Sequence, residues 1–163
     1  CGISEHFEVA QKNVHAYVFG EHGDTSFVPW SCASISAVPM EKYADAMKKI
    51  GKEYGEIDKD AMEEYVRKSG GKIIANKGAT FYAVSASVCQ LVSKLVAASE
   101  SMATVSTMMH GEYGVDDVCL STLAIVDRTG VRGKILNKLT DEEVKKLQAS
   151  ADKLKSVIAQ ISL

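Results

Sequence analysis

From Thr140 to Ile161, apolar residues Val144, Leu147, Ala151, Leu154, Val157, Ile158 and Ile161 recur at the spacing of one helix face. Thr140 stands just before this run and Glu143 three residues further on, the pairing of a capping box, which predicts where the helix starts. An earlier stretch, Thr80 to about Ala98, is more apolar still. Phe81, Val84, Val88, Leu91 and Leu95 share one stripe, and Lys94 is the sole charge, so this segment is predicted to be the central buried helix. A third helix is expected from near Asp58, with Met62, Tyr65, Val66, Ser69 and Ile73 along one face. Gly70 and Gly71 sit inside it at a cost of about 1 kcal/mol each against alanine, which implies that something approaches the backbone there. Pro39 suits the first turn of a shorter helix running to about Ile50.

A two-residue period marks the strands. Val14 to Phe19 places Val14, Ala16 and Val18 on one face and His15, Tyr17 and Phe19 on the other. A loop from Gly20 follows, then a short extended piece around Phe27 to Ile35. Met102 to Met109 and Val118 to Asp127 read as strands joined by H-G-E-Y-G-V-D-D. A third, around Val131 to Leu136, follows the R-T-G turn at Arg128 to Gly130. The predicted class is α+β: helices packed on a small, largely antiparallel twisted sheet. No parallel βαβ alternation, G-x-G-x-x-G or G-x-x-x-x-G-K-[ST] appears, so the chain shows no phosphate cradle and no Rossmann unit of its own.

Composition narrows the function classes. The 163 residues fit one domain, and 46% hydrophobic with 25% charged residues is ordinary for a soluble globular protein. A net charge of −2 gives no electrostatic reason to expect nucleic acid or an anionic membrane as partner. Cys1, Cys32, Cys89 and Cys119 form no C-x-x-C pair, which points to reduced thiols in the cytoplasm. No signal peptide is visible, and the Thr80 to Ala98 run is too polar for a membrane span.

The most chemical stretch is F-G-E-H-G-D-T-S-F-V-P-W-S, Phe19 to Ser31. His22 there is flanked by glycines and carboxylates just after a strand, a poor setting for a core residue and a good one for a proton donor at a pocket lip. Histidine exchanges protons near neutral pH, and Gly20 and Gly23 allow a tight backbone path. On spacing alone His22 is either an acid/base catalyst or a surface-loop histidine. His6, His15, His22 and His110 form no metal-ligand pattern, and no G-x-S-x-G nucleophile motif is present.

Three segments carry a resemblance when read in order. They are G-E-H-G-D-T-S-F-V-P-W-S at Gly20 to Ser31, K-G-A-T-F-Y-A at Lys77 to Ala83, and H-G-E-Y-G-V-D-D-V-C-L-S at His110 to Ser121. Together they resemble the C-terminal domain of the L-lactate/malate dehydrogenase superfamily, and within it the bacterial L-lactate dehydrogenases. The resemblance covers residues 1–163 as one substrate-binding, catalytic domain. It implies a parent that reversibly reduces pyruvate to L-lactate with NAD as cofactor, His22 giving and taking the proton. It also implies a homo-oligomer.

In such an enzyme an aspartate upstream of the histidine holds the imidazole, and a nearby arginine grips the substrate carboxylate through paired hydrogen bonds. The 21 residues before His22 contain neither arginine nor aspartate, so the resemblance places that pair before Cys1. The chain is therefore expected to be a fragment, inactive by itself, with NAD bound mainly by a domain it lacks.

The same resemblance assigns the other candidates. Thr80 matches a substrate-pocket threonine, the alternative being the N-cap of its helix. Val84 would pack against the nicotinamide, or is a core valine. Asp24 matches an acid that supports the histidine, or is a solvated turn residue. His15 matches the histidine that helps bind fructose 1,6-bisphosphate between subunits in allosteric bacterial enzymes, or is simply packed at a subunit contact.

Two positions depart from the pattern. Leu123 stands where a proline is usual after L-S-x. Ser69, Gly70 and Gly71 replace small alanines and imply a roomier pocket. The alternatives are a malate or other L-2-hydroxy acid dehydrogenase, or an inactive self-associating module.

Overall fold

The structure, a computed structural model, describes residues 2–161. Its elements run α1 (Gly2–His6), β1 (Val14–His15), β2 (Ser34–Ile35), β3 (Val38–Pro39), α2 (Met40–Lys48), α3 (Lys59–Lys77), α4 (Tyr82–Val96), β4 (Ser101–His110), β5 (Asp116–Asp127), β6 (Gly130–Lys134) and α5 (Asp141–Ile158). The class is the expected α+β, with its strands divided between two antiparallel sheets, β1-β2-β3 and β4-β5-β6.

The larger sheet is a long hairpin with a third strand added. Ala103 pairs with Ala124 and Thr107 with Leu120, and the register slips between Met108 and His110 just before the turn. On β5 the alternation has its expected effect: Val118, Leu120, Thr122, Ala124 and Val126 are all buried. Leu147 and Ala151 of α5, with Phe19, Phe27 and Met109, complete this core. Leu123, where the resemblance leads one to expect a proline, continues the strand, and its carbonyl accepts a hydrogen bond from the Ile135 N–H at 2.8 Å. A second cluster gathers Ile3, Phe7, Ala33, Ile35, Met40 and Tyr43 around the small sheet. There Phe7 meets Tyr43 edge-on at 5.1 Å.

Local signals hold where local bonds make them. Thr140 Oγ1 accepts from the Glu143 N–H at 3.2 Å while Glu143 Oε2 accepts from the Thr140 N–H at 2.9 Å, the complete capping box. Asp58 caps α3 by accepting from the Ala61 N–H at 2.9 Å. Gly78 ends that helix in the left-handed region at φ 77°, where a side chain would be strained.

Four expectations are corrected. α4 is not a central buried helix: it buries none of its residues, and Val84 and Val88 remain 54% and 53% exposed. Periodicity shows which side of a helix wants cover, not whether the chain supplies it, and although α4 touches β4 and β5 its stripe stays open. The α3 stripe is likewise largely open at Tyr65, Val66 and Ile73. The Val14 to Phe19 strand shrinks to Val14–His15. Gly20, at φ 97°, leads the chain off the small sheet, and the Gly20 and Ser121 backbones exchange hydrogen bonds instead. Last, the apolar stripe of α5 outruns its cover: Val157 and Ile158 in the last turn, and Ile161 beyond the helix, are exposed.

Candidate active site

The loop bearing His22 is pinned at its root. Phe19 and Phe27 form an antiparallel bridge, with N–H···O distances of 2.9 and 3.1 Å, and both rings are buried edge-to-face. Gly20 has its own reason to be glycine: a Cβ there would lie 2.7 Å from Ser150 Oγ. Within the loop, the Ser26 hydroxyl and N–H both donate to the Gly23 carbonyl, at 2.9 and 3.2 Å. The Glu21 carboxylate accepts from Thr25 Oγ1 at 2.7 Å. These bonds close a tight turn with His22 exposed at its apex, and among the described residues none hydrogen-bonds its ring.

The far end of the motif is anchored as well. Ser31 donates to Glu143 through its N–H at 2.9 Å and through Oγ at 2.5 Å. Burial pushes the Glu143 carboxyl up, but the hydrogen bonds from Ser31 and Thr140 together hold it below the usual range. Beside it, burial pushes the Cys32 thiol up, against the nucleophilic direction. Cys32, Cys89 and Cys119 are free thiols, and Cys1 lies outside the described residues.

His22 faces a cleft of about 790 Å³. Thr80 lines the same cleft, so the structure brings these two predicted residues together across 58 positions of sequence (80 − 22). Thr80 is not a helix cap: α4 starts at Tyr82 after Phe81, with no side-chain cap bond. Gly70 and Gly71 form part of the α3 wall, and a Cβ at either would meet nothing within 4 Å. The two glycines thus leave open space rather than accommodating a neighbour within the described chain. Val84 lines an adjoining hollow of about 420 Å³ with Val88, Leu91 and Ala103, and Ser87 and Thr104 border both spaces.

Asp24 is exposed on the His22 loop and His15 is exposed on β1; neither lines the cleft. Sequence reasoning missed Arg67 and Ser150. Arg67 is in the cleft wall and donates to the Ser26 carbonyl at 2.9 Å. Ser150 Oγ accepts from the Glu21 N–H at 2.7 Å. The signal for Ser150 was a hydroxyl inside the apolar stripe of α5, where a buried polar group needs a partner.

Chemically, the site presents a mobile-proton group, a hydroxyl and a guanidinium around a space sized for a small molecule. Among the described residues no group of three His, Cys, Asp or Glu side chains could hold a metal, and no helix is long and apolar enough to cross a membrane.

Comparison with known proteins places the fold in a family. Residues 1–162 match the lactate/malate dehydrogenase, alpha/beta C-terminal domain family. The L-lactate dehydrogenase of Acetivibrio thermocellus is 40% identical over 162 residues, 99% of this chain and 50% of that protein. A solved L-lactate dehydrogenase from Clostridium thermocellum superposes with a TM-score of 0.84 at 35% identity, over 99% of this chain and 51% of that one. The minor L-lactate dehydrogenase of Enterococcus mundtii, solved in a ligand-bound form, gives 0.87 at 30% identity, over 99% and 50%. The chain spans about half the length of the curated relatives it matches. It belongs to the lactate/malate dehydrogenase family, as that family's α/β C-terminal domain.

Proposed function

We propose that the protein carrying this domain is an NAD-dependent L-lactate dehydrogenase and that His22 is its acid/base residue. The observation that carries the reading is the shared cleft: a backbone-pinned loop presents His22 to the same space as Thr80 and the open Gly70–Gly71 wall. In pyruvate reduction the imidazolium would donate its proton to the carbonyl oxygen, and in lactate oxidation the neutral ring would take the hydroxyl proton. Thr80 would hydrogen-bond the substrate, and Asp24 would support the positive form of the ring from the same loop. The names of the similar proteins favour lactate over malate.

The residues fit one end of the cofactor only. Val84, Val88 and Leu91 give the hollow beside the cleft an apolar side suited to an uncharged ring, with Lys94 and Gln90 also in its lining. Val84 would exclude water from the nicotinamide there; that group supplies the hydride. The phosphate cradle, the aspartate that orients His22 and the arginine that grips the carboxylate would lie outside this chain, so the chain alone should be inactive. His15, away from the cleft, keeps its assignment to a sugar-bisphosphate contact between the subunits of a cytoplasmic homo-oligomer.

His22→Asn in the complete enzyme tests the reading. Pyruvate reduction should fall about 10²- to 10⁴-fold, the usual contribution of a general acid, with cofactor affinity retained. Activity within a few-fold of the parent would exclude His22 as proton carrier.

A further inference from the structure

We propose that a two-point clamp, Ser150 of α5 and Arg67 of α3, aims the His22 loop, and that both are positioning residues for proton transfer. The proposal rests on the acid/base reading of His22. No described residue bonds the ring, so within this domain its placement depends on the backbone of its loop, which must carry the ring to the orienting aspartate proposed above. That backbone is held from two sides.

On one side is Ser150, fully buried in a stripe otherwise filled by Leu147 and Ala151. A hydroxyl in such a setting is costly unless paired. Its side-chain hydrogen-bond partners among the described residues belong to the His22 loop: the Glu21 N–H at 2.7 Å, immediately before His22, and Thr25 Oγ1 at 3.0 Å. The Thr25 hydroxyl is shared with Glu21 Oε1, so one serine locks both flanks of the turn.

On the other side, Arg67 Nη1 donates to the Ser26 carbonyl at 2.9 Å. Arg67 is itself braced by Glu63 Oε2 at 3.5 Å, a carboxylate only 4% exposed. Glu63 accepts from Trp30 Nε1 at 2.9 Å and lies 3.5 Å from Lys146 Nζ on α5. The brace therefore returns to the helix that carries Ser150, and α3, α5 and the loop form a closed circuit. Misplacing a reacting group by about 1 Å can cost about 100-fold in rate, so a clamp acting only on the backbone has catalytic leverage.

The test uses the complete enzyme with Ser150→Ala, Arg67→Ala and Arg67→Lys, each alone and in the His22→Asn background. Ser150→Ala and Arg67→Ala should lower kcat by about 10- to 100-fold, leave KM for substrate and cofactor within about 3-fold, and shift the pH profile of kcat. Arg67→Lys, able to reach the same carbonyl, should recover most of the loss. Because the clamp acts through His22, neither alanine variant should lower the residual rate of His22→Asn further. Should Ser150→Ala not fold, Ser150→Cys supplies similar volume with a poor acceptor and should reproduce the kcat loss. An unchanged kcat, a rise in KM alone, or full additivity with His22→Asn would overturn the clamp. Full activity in His22→Asn itself would instead remove the underlying reading, and the clamp with it.

Discussion

Two helices of similar length behave oppositely. α5 is rich in charge, yet it buries Leu147, Ser150 and Ala151 against β5 and the His22 loop. α4 has a single lysine and a longer apolar stripe, yet none of its side chains is buried. The difference lies in what surrounds them. Both helices touch β5, but α5 packs Leu147 and Ala151 into the core with Phe19, Phe27 and Met109, whereas α4 turns its stripe toward the hollow beside the candidate site. Apolar surface left open on that scale marks a contact face. One half of the domain is therefore a finished core that holds the His22 loop, and the other is an open wall beside the same cleft.

The contrast is sharpest at Leu147, which has no exposed surface. Leu147→Ala should cost about 3 kcal/mol, within the range for a cavity in a core that cannot collapse. Urea unfolding of this chain measures it, and a loss below about 1 kcal/mol would mean that α5 is no better packed than α4.

What could be read ahead of the structure follows the same divide. The Thr140–Glu143 box and the Asp58 cap join residues three apart, so their signal lies within one helical turn. The β4–β5 hairpin was legible because alternation on β5 coincides with a face that is covered. His22 stood out as a candidate because its glycines and carboxylates are local to it, and it lines the cleft. α4 was misread because its stripe is real while its cover is not a local property. Ser150 and Arg67 were missed because their bonds to the loop span 129 and 41 positions. Nothing within either helix marks a hydroxyl or a guanidinium as belonging to a turn elsewhere.

Acid should act on the finished half. Lys134, a hydrogen bond away at 2.7 Å, and the His110 N–H hold the Glu112 carboxyl down from its ordinary 4.5 to about 2. The ion pair fastens the end of the β4–β5 hairpin, with 11% and 19% of the two side chains exposed. A carboxyl held low adds stability that is complete above the ordinary value and lost as pH falls toward 2. Allowing for solvent screening, about 1–2 kcal/mol is at stake. Glu112→Gln should be less stable than the parent at pH 6, and the gap should close between pH 4.5 and 2. A gap that does not vary with pH would assign the loss to shape rather than charge. α4 has no carboxylate, so it adds no comparable acid dependence.

The smallest effect is the most telling about α4. Val88 is half exposed on the hollow next to the His22 cleft. Val88→Lys keeps a good helix former there and removes only open apolar surface. Stability of this chain should change by no more than about 0.5 kcal/mol, while binding of a hydrophobic dye or self-association should fall. A loss as large as that of Leu147→Ala would show that the chain covers Val88 itself, and the wall would then be core.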